Sequence, residues 1–339
     1  MVLAPLHVNN AFTFPSSGAG HSHRNSPQGP VSPIVWLDAG HARREDVGGK
    51  AASLARLMAL GAPVPAAFAI PASAYTTVAA ALGLPRRAAD VDPSSLGAIR
   101  DTILTASLPA SLVVALGQAH QTLAAVAGPG LSLAVRSSGT SEDSAAFSFA
   151  GLHDTFLDVR TLPDLELAVK SCWASLWSDR AHAYRHERGI AGEDTEIAVV
   201  VQQLVRSDVS FVAFTSDPVG QDDDNMVITA TWGLGEAVVA GITVPDHITV
   251  SPDGTVRDYV VGRKHLMVIP NPGEGTGTVE VSVPRALQHL PALTHGQAEA
   301  IAQMARDLSR KLGYQADLEG GLSSGTIHLF QARPITTLA

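Results

Sequence analysis

The chain has 339 residues, of which 45% are hydrophobic, and it carries a formal net charge of −9 from 23 basic and 32 acidic side chains. This length favours two or three domains, and the acidic balance argues against nucleic acid or an anionic membrane as the principal partner. No uninterrupted apolar run approaches the ~18 residues of a membrane span, and the single cysteine, Cys172, rules out an internal disulfide. We therefore expect a cytoplasmic protein in which Cys172 is a small buried hydrophobic residue.

Composition and pattern divide the chain into a leader and three lobes. Residues 1–33 are rich in serine, glycine, proline, histidine and asparagine, and they show no cationic start followed by an apolar core. They are predicted to be a flexible leader and not a signal peptide. The remainder is divided into an N-terminal lobe at 34–130, a central lobe with a lid segment at 131–205 and a C-terminal lobe at 206–339.

In the N-terminal lobe, short apolar runs alternate with helix-forming segments. The good helix formers that follow Gly48 and Gly49 stop at Gly61, which is a common signal at the C-terminus of a helix. In chain order, the predicted elements are a strand at 35–39, a helix at 50–60, a strand at 67–70, an Ala-rich helix opened by 71–73, and a helical stretch at 93–127 interrupted at Pro109.

The rest of the chain mixes helices and strands in irregular order. Apolar residues recur at a helical period from 162 to 188, and Trp173 and Trp177 lie four apart there, where core packing is favoured over ligand stacking. The polar turn 206–208 joins two strands, and 252–254 has the chemistry of a hairpin turn. The predicted elements are strands at 131–135, 196–205, 210–215, 226–230, 247–250, 255–261, 316–319 and 326–333, a Pro/Gly-rich loop at 270–277, and helices at 162–188 and 295–312. This order predicts an α+β fold rather than a regular parallel βαβ array.

Two segments supply between them glycines, lone cations and hydroxyl groups, which is the chemistry that a polyphosphate requires. The VGGK loop at 47–50 holds one of only four lysines in the chain. The RSSGTSED segment begins with Arg136 after an apolar strand. Its guanidinium suits a phosphate, and the hydroxyls of Ser137, Ser138 and Thr140 supply further hydrogen bonds. The two acidic residues of this segment suit the alternative role of capping a following helix.

The last predicted strand, at 326–333, carries a third group of polar residues. Period-2 alternation predicts that Ile327, Leu329, Gln331 and Arg333 share one face of this strand. Gln331 and Arg333 are then neighbours about 7 Å apart along it.

The strand at 316–319 completes this third group. Asp317 and Glu319 share a face, and a hairpin between the two strands would bring Glu319 beside Gln331. One carboxylate and one amide oxygen suit a magnesium ion, which is usually held by one or two carboxylates together with substrate phosphates. The alternative is a surface hairpin with ordinary polar residues.

Other motifs carry little weight. The GLGE segment at 233–236 lacks the further glycine of a dinucleotide fingerprint, and the VGGK loop is followed by alanine, so it is not a P-loop. His182 and His186 lie four apart on a helix and suit zinc, but no third ligand is evident. Neither HExxH nor paired Cys/His spacing occurs in the sequence.

Six segments in series resemble the ATP-binding domain of phosphoenolpyruvate synthase, pyruvate phosphate dikinase and rifampin phosphotransferase. The resemblance covers roughly residues 35 to 336 and follows the order of the family. The segments are VGGKAASLARLMALGAPVPAAFAI, LAVRSSGTSEDSAAFSFAGLHDTFLDV, CWASLWSDRAHAYR, VVVQQLVRSDVSFVAFTSDPV, ITATWGLGEAVVAG and DLEGGLSSGTIHLFQARPIT. The resemblance implies an ATP-grasp fold, in which two lobes close on ATP.

The resemblance also implies which residues contact the phosphates of ATP. Lys50, Arg136 and Arg333 match the family's phosphate-binding positions, and they are the catalytic candidates, acting by positioning and charge neutralisation. Gly151 and Thr155 match positions in the lid segment above the phosphates.

The remaining implied roles concern the adenosine part and the metal. Gln202 and Leu204 would frame the adenine through backbone groups of the strand that connects the lobes. Glu236 would lie near the ribose or the adenine edge. Glu319 and Gln331 would hold Mg²⁺, so the implied cofactors are ATP and Mg²⁺.

The chain departs from the family pattern at several positions. The usual RSSAT is RSSGT here, and the usual glutamine pair after FAG is Leu152-His153. The usual Asp-Ile-Glu-Trp is DLEG, which keeps Glu319 and replaces the tryptophan by Gly320. This glycine is expected to loosen the local packing and to alter the surface toward a partner domain.

In the family, a mobile domain with a phosphorylatable histidine in a Gly-Gly…Ser-His-type motif follows the QARPI strand, and a third domain binds the acceptor. None of the thirteen histidines lies in such a motif. The leading hypothesis is an ATP-dependent phosphotransferase component that hands phosphate to a histidine carrier on another domain or chain, with an unknown acceptor. Two alternatives remain open: a stand-alone kinase that binds a small acceptor between the lobes, and a non-catalytic nucleotide-binding module.

Overall fold

The structure is a computed structural model that describes residues 33–40, 42–128, 130–140, 154–190, 196–217, 224–273 and 275–335. The leader predicted at 1–33 lies outside these ranges except for Pro33, and so does 141–153 of the central lobe. Within the described ranges the α+β prediction is confirmed, because helices accompany two large antiparallel sheets and a separate two-stranded hairpin.

The elements are numbered in chain order. The strands are β1 (Val35–Trp36), β2 (Ala67–Ile70), β3 (Leu133–Gly139), β4 (Thr155–Val159), β5 (Ile197–Gln203), β6 (Val209–Phe214), β7 (Met226–Trp232), β8 (Asp246–Val250), β9 (Val256–Val260), β10 (Leu266–Pro270), β11 (Thr278–Ser282), β12 (Ala316–Ser323) and β13 (Thr326–Pro334). The α-helices are α1 (Arg44–Ala59), α2 (Ala72–Ala81), α3 (Leu96–Thr105), α4 (Ala110–Ala127), α5 (Leu162–Ser175), α6 (Asp179–Glu187), α7 (Glu236–Val239) and α8 (His295–Leu312).

The two large sheets divide most of the strands between them. The first has the order β1-β2-β5-β3-β4, and the second has the order β13-β12-β6-β7-β8-β9. All neighbouring pairs in both sheets are antiparallel. Residues 204–208 run from β5 in the first sheet to β6 in the second. The polar turn predicted between two strands is therefore the crossing between the sheets.

β5 lies at the centre of the first sheet and is buried on both faces. Val199 and Val201 face a core formed with α2 to α5, whereas Val200 faces a second core shared with α1, α8 and the second sheet. A strand that is covered on both faces does not need to alternate apolar and polar residues. This explains why the first residues of β5 form an unbroken apolar run. The first sheet thus separates two hydrophobic cores, and the candidate site lies on the face of the sheet that packs against α1.

The helical stretch predicted at 162–188 is two helices, α5 and α6. The break lies at 176–178, where Ser178 caps α6 by accepting a hydrogen bond from the Ala181 amide at 3.2 Å. An N-capping serine begins a new helix, and the apolar periodicity conceals that start because it continues across the break.

The aromatic and sulfur side chains of α5 and its C-terminal end lie inside the first core. Trp173 and Trp177 are fully buried, and the Trp177 indole donates a hydrogen bond to the Tyr75 hydroxyl at 2.8 Å. Core packing of the two tryptophans is confirmed. Cys172 is also fully buried, which confirms the predicted small buried hydrophobic residue, and this burial raises the pKa of its thiol.

Helix α8 matches its predicted bounds. Thr294 and Gln297 form a capping box at its start, and Gly313 ends it in the left-handed conformation with φ of 80°. Its apolar stripe packs under the second sheet, where Ile301 and Leu308 are buried.

Helix α4 is, among the described residues, the one helix long and apolar enough to cross a membrane by length and composition. Such a single helix is weak evidence of a span. Leu112, Leu116 and Leu123 on one side of α4 pack into the first core, as they do in a helix that covers a globular core.

The hairpin of β10 and β11 was not predicted. The sequence indicated only the Pro/Gly-rich loop at 270–277, which the structure places at the tip of this hairpin. The hairpin belongs to neither large sheet, and within the described ranges an isolated bridge between Gly233 and Val268 is its one β-type contact with another strand region.

Candidate active site

The VGGK loop is a kink in α1 that fits against β3. Gly48 has φ of 78° and ψ of 172°, a conformation that is essentially restricted to glycine. A Cβ atom at this position would lie 2.3 Å from the carbonyl oxygen of Ser138, so close approach of the two backbones also requires glycine. Just beyond the kink, the Ala51 amide donates to Ser138 Oγ at 3.3 Å. Lys50 therefore stands at the start of a helical segment held against the strand that carries Arg136.

A second contact ties α1 to β13. Ser53 Oγ donates to the carbonyl oxygen of Ala332 at 2.5 Å. Ala332 lies between Gln331 and Arg333, so this hydrogen bond joins the VGGK helix to the QARPI strand. The two segments are far apart in sequence and adjacent in the fold.

Arg136 links the two sheets. It lies in the middle of β3 and not at the start of a turn, because β3 continues to Gly139 beyond the predicted end of the strand. Its guanidinium donates to the Phe330 carbonyl oxygen at 3.1 Å and to Gln331 Oε1 at 2.6 Å. Glu319 Oε2 lies 3.9 Å from the same guanidinium, and both side chains are largely buried.

The hydroxyl groups after Arg136 serve the packing of the protein. Ser137 and Ser138 are fully buried. Ser138 Oγ accepts the hydrogen bond from Ala51, and Ser137 Oγ lies 3.4 Å from the Asp154 carbonyl oxygen. The predicted phosphate contacts of these two hydroxyls are thus not supported, because both groups are enclosed and already bonded within the protein.

The predicted pairing of Glu319 with Gln331 is confirmed. The two residues are direct partners across the antiparallel β12–β13 pair. Asp317 and Arg333 are the next partners on the same face, and Arg333 Nε donates to Asp317 Oδ2 at 2.7 Å. The shared face of Asp317 and Glu319 is confirmed as well.

The predicted shared face of Ile327, Leu329, Gln331 and Arg333 is wrong. The register shifts between Glu319 and Gly320, so Phe330 is an extra residue without a partner on β12. Such a β-bulge reverses the alternation on its two sides. Leu329 and Ile327 therefore turn to the second core, while Gln331 and Arg333 remain on the site face.

Gly320 does not loosen the packing, contrary to expectation. It pairs with Phe211 on β6, and a Cβ atom at residue 320 would lie 2.4 Å from Phe211 Cζ. Phe211 is 1% exposed, so its ring fills the space beside the glycine. A larger side chain on β6 thus compensates for the small one on β12.

The residues predicted for the adenosine part lie at the end of β5, at the start of the crossing between the sheets and at the start of α7. Gln202 ends the buried part of β5, and its Nε2 finds no hydrogen-bond partner among the described residues. Glu236 begins α7, and its buried Oε2 is likewise without a partner in the described part of the chain. The Leu204 amide donates to the Ser132 carbonyl oxygen at 2.8 Å, so that amide is engaged within the protein.

The structure brings most of the predicted site residues into one region. Thr155 is the strand partner of Arg136, at the exposed start of β4. Gly151 lies outside the described residues. The sequence reasoning missed the roles of Ser53 and Ser138 in joining α1 to β13 and β3, since a serine in a helix or strand carries no signal of its distant partner.

The two histidines of α6 do not form a metal site in the described structure. Their rings are 4.5 Å apart, and burial together with the neighbouring His186 lowers the pKa of His182. Within the described ranges no group of three or more His, Cys, Asp or Glu side chains is arranged to hold a metal ion. The magnesium prediction therefore depends on Glu319 and Gln331 with ligand oxygens added by a bound phosphate.

The model of the family described as "Pyruvate phosphate dikinase, AMP/ATP-binding domain" matches residues 44–339. A match of this extent makes the chain an AMP/ATP-binding domain. The chain belongs to the pyruvate phosphate dikinase family of such domains. The matched residues contain the second large sheet, every strand of the first sheet except β1, and every predicted site residue.

Several curated relatives are similar over most of the chain. The chain is 39% identical over 294 residues to the prodigiosin synthesizing transferase PigC of Serratia marcescens, which covers 86% of this chain and 32% of PigC. It is 34% identical over 360 residues to a probable phosphoenolpyruvate synthase of Pyrococcus abyssi, with 90% and 44% covered. It is 34% identical over 304 residues to a rifampicin phosphotransferase of Streptomyces sviceus, with 86% and 34% covered. The chain thus spans less than half of the length of these relatives.

Proposed function

We propose that this chain binds Mg-ATP between its two large sheets and prepares a phosphoryl group for transfer to a histidine on another domain or chain. The fold in this proposal is an ATP-grasp fold. The observation that carries it is the convergence of the Lys50 helix, Arg136 and the Glu319–Gln331 pair, which three distant segments contribute. Hydrogen bonds from Ala51 to Ser138 and from Ser53 to Ala332 hold that convergence.

The charges of the region suit a polyphosphate. Three cationic residues, Lys50, Arg136 and Arg333, accompany the carboxylates of Asp317 and Glu319. Arg333 is paired with Asp317, and the Arg136 guanidinium lies 3.9 Å from Glu319 Oε2. In a partly buried cleft, fixed cations stabilise the charge of phosphate oxygens more strongly than they would in water.

The residues present also fit magnesium. Glu319 supplies a carboxylate, and Gln331 an amide oxygen with a second lone pair besides the one that Arg136 occupies. Glu319 and Gln331 would hold the ion together with phosphate oxygens, and a bound magnesium ion neutralises developing phosphate charge. Arg136 would then turn from Gln331 toward the phosphates.

Two unpaired buried atoms support an adenine site at the crossing between the sheets. Gln202 Nε2 is a donor and Glu236 Oε2 is an acceptor, and neither has a partner among the described residues. A buried polar group without a hydrogen-bond partner lowers the stability of a protein by about 1–3 kcal/mol. A ligand that forms hydrogen bonds with both atoms removes this cost, and its binding is favoured accordingly. The adenine and ribose edges offer a complementary acceptor and donor.

In this proposal, the histidine carrier and the acceptor site are provided by another domain or another chain. Relatives named for phosphoenolpyruvate and for rifampicin share the domain, so we propose that acceptor specificity resides in other domains. We propose a cytoplasmic location and no nucleic-acid or membrane partner.

Calorimetric titration of ATP in the presence and absence of Mg²⁺ tests the binding site. The wild-type chain is expected to bind ATP with a Mg²⁺-dependent gain in affinity. Glu319→Ala should abolish that gain, lowering affinity on the order of tenfold, while Glu187→Ala, at an exposed site on α6, should not. A wild-type chain that does not bind ATP, or a Glu319→Ala chain with full Mg²⁺ dependence, would contradict the proposal.

A product assay tests the transfer. The chain is incubated with labelled ATP alone, with small-molecule acceptors, and with a separately purified histidine-carrier domain from a relative. AMP formed only with the carrier supports the proposal. ADP formed with a small acceptor alone would support the stand-alone kinase, and binding without turnover in every mixture would support the non-catalytic module.

A further inference from the structure

Arg160 joins the first sheet to the β10–β11 hairpin. It follows β4, and its guanidinium donates to the carbonyl oxygens of Asn271 and of Gly273, the latter at 2.8 Å. Asn271 Oδ1 accepts from the Gly273 amide at 3.0 Å, and this short turn presents the two carbonyls side by side. A planar guanidinium suits two neighbouring acceptors.

The other side of the guanidinium is fixed by Asp158. Arg160 donates to both carboxylate oxygens of Asp158, at 3.0 and 2.5 Å. Asp158 is fully buried, and its φ of 57° is uncommon for a residue other than glycine. Ser132 Oγ donates to the same carboxylate at 2.7 Å. The arginine is therefore held rigidly from the first sheet.

The two segments that Arg160 joins are each hydrogen-bonded to residues on the adenine side of the candidate site. On the first sheet, the carbonyl of Ser132 accepts the Leu204 amide at 2.8 Å. On the hairpin, the carbonyl of Val268 accepts the Leu234 amide at 2.8 Å, two residues before Glu236. The small hydrophobic cluster between them contains Leu234 and Val268, with Leu204 packed against it.

We propose that Arg160 is a positioning residue for the adenine end of the nucleotide site. By holding the hairpin of β10 and β11, it fixes the segment that carries Glu236 relative to Leu204. The hairpin belongs to neither large sheet, and it also meets the Glu236 segment through the bridge of Val268 to Gly233 and the buried cluster with Leu234. Arg160 does not touch the phosphate residues in this arrangement. The inference rests on the proposed function and adds a determinant of base binding to it.

The test separates the adenine end from the phosphate end. The affinities of Mg-ATP and of Mg-tripolyphosphate, the latter by competition, are measured for the wild-type chain and for Arg160→Ala. We expect Arg160→Ala to weaken ATP binding on the order of tenfold and to change tripolyphosphate binding less than twofold. Arg160→Lys, which keeps one donor group, should weaken ATP binding by an intermediate factor.

Arg100→Ala serves as a matched control, and Asp158→Asn serves as a second variant that changes the structure less. Arg100 is also partly buried and bonds a carbonyl and a carboxylate, of Trp177 and Asp179, away from the site. Arg100→Ala should leave both affinities unchanged. Asp158→Asn removes the ion pair, keeps an acceptor for Ser132 and tolerates the positive φ, so it provides the same comparison if Arg160→Ala does not fold.

The possible results separate this inference from the proposed function. A wild-type chain that binds neither ligand contradicts the proposed function itself. If the wild-type chain binds both, unchanged ATP affinity in Arg160→Ala overturns only the inference. Equal weakening of ATP and tripolyphosphate also overturns it, because it would show a general effect on the fold. Weaker binding of ATP with unchanged binding of tripolyphosphate in Arg100→Ala would likewise count against the inference.

Discussion

Replacement of Lys264 by methionine tests the buried polar centre of the C-terminal part of the chain. Lys264 and Asp246 form an ion pair in which both side chains are fully buried. Lys264 Nζ also donates to the Gly262 carbonyl oxygen at 2.9 Å. Methionine keeps the length and most of the volume of lysine and removes its charge.

The expected loss follows from what Asp246 retains. Its carboxylate still accepts from the amides of Gly262 and Ala292, at 2.9 and 2.7 Å, and from the Tyr259 hydroxyl at 3.0 Å. Removing one partner of a buried ion pair typically destabilises by about 3–5 kcal/mol. Because three donors remain to stabilise the charge, we expect the low end, about 3 kcal/mol.

Urea unfolding followed by circular dichroism measures this loss as a lower midpoint at constant slope. Lys311→Met, at an exposed position of α8, is the control and should change stability by less than about 0.5 kcal/mol. The double replacement Lys264→Met with Asp246→Leu should not recover the wild-type stability, because it leaves the amide donors of Gly262 and Ala292 without an acceptor, although the Tyr259 hydroxyl keeps the Leu293 carbonyl oxygen. A loss below about 1 kcal/mol in Lys264→Met would refute the reasoning.

Two further predictions concern the VGGK kink and the buried thiol. Gly48→Ala should destabilise by about 2–4 kcal/mol in urea unfolding and weaken ATP binding, because its Cβ meets Ser138 and its φ is unfavourable; a change below about 0.5 kcal/mol would contradict it. Cys172 should resist iodoacetamide at pH ~8.5 in the native chain and react in urea. Since burial raises the pKa of its thiol, the unfolded chain loses that proton first, and this contribution to stability falls as pH rises above the ordinary thiol pKa; stability that rises there would contradict this sign.

The sequence predicted best the elements whose signals are local. Helix α8 has its capping box and terminal glycine, and β2 and the β8–β9 hairpin have clear turns at their ends. The pairing of Glu319 with Gln331 was also predictable, because two short strands joined by a tight turn have few possible registers.

What the sequence did not show depends on distant partners. The bulge at Phe330 has no signal of its own, and only the register against β12 reveals it. Gly320 looked like a loss of packing because the ring that replaces the missing side chain belongs to Phe211, on a strand about a hundred residues earlier. The β10–β11 hairpin was concealed by the Pro/Gly-rich loop at its tip.

The hydrogen bond from Ser53 to Ala332 has a consequence for the order in which the protein folds. It spans 279 residues, and the contact from Arg136 to Gln331 spans 195. Contacts of such sequence separation form slowly, because the intervening chain must first lose the entropy of a long loop. During synthesis, the loop with Lys50 leaves the ribosome well before β13 exists. We therefore expect the first core to form while the phosphate region is still incomplete, so that nucleotide binding is acquired in one of the last steps of folding.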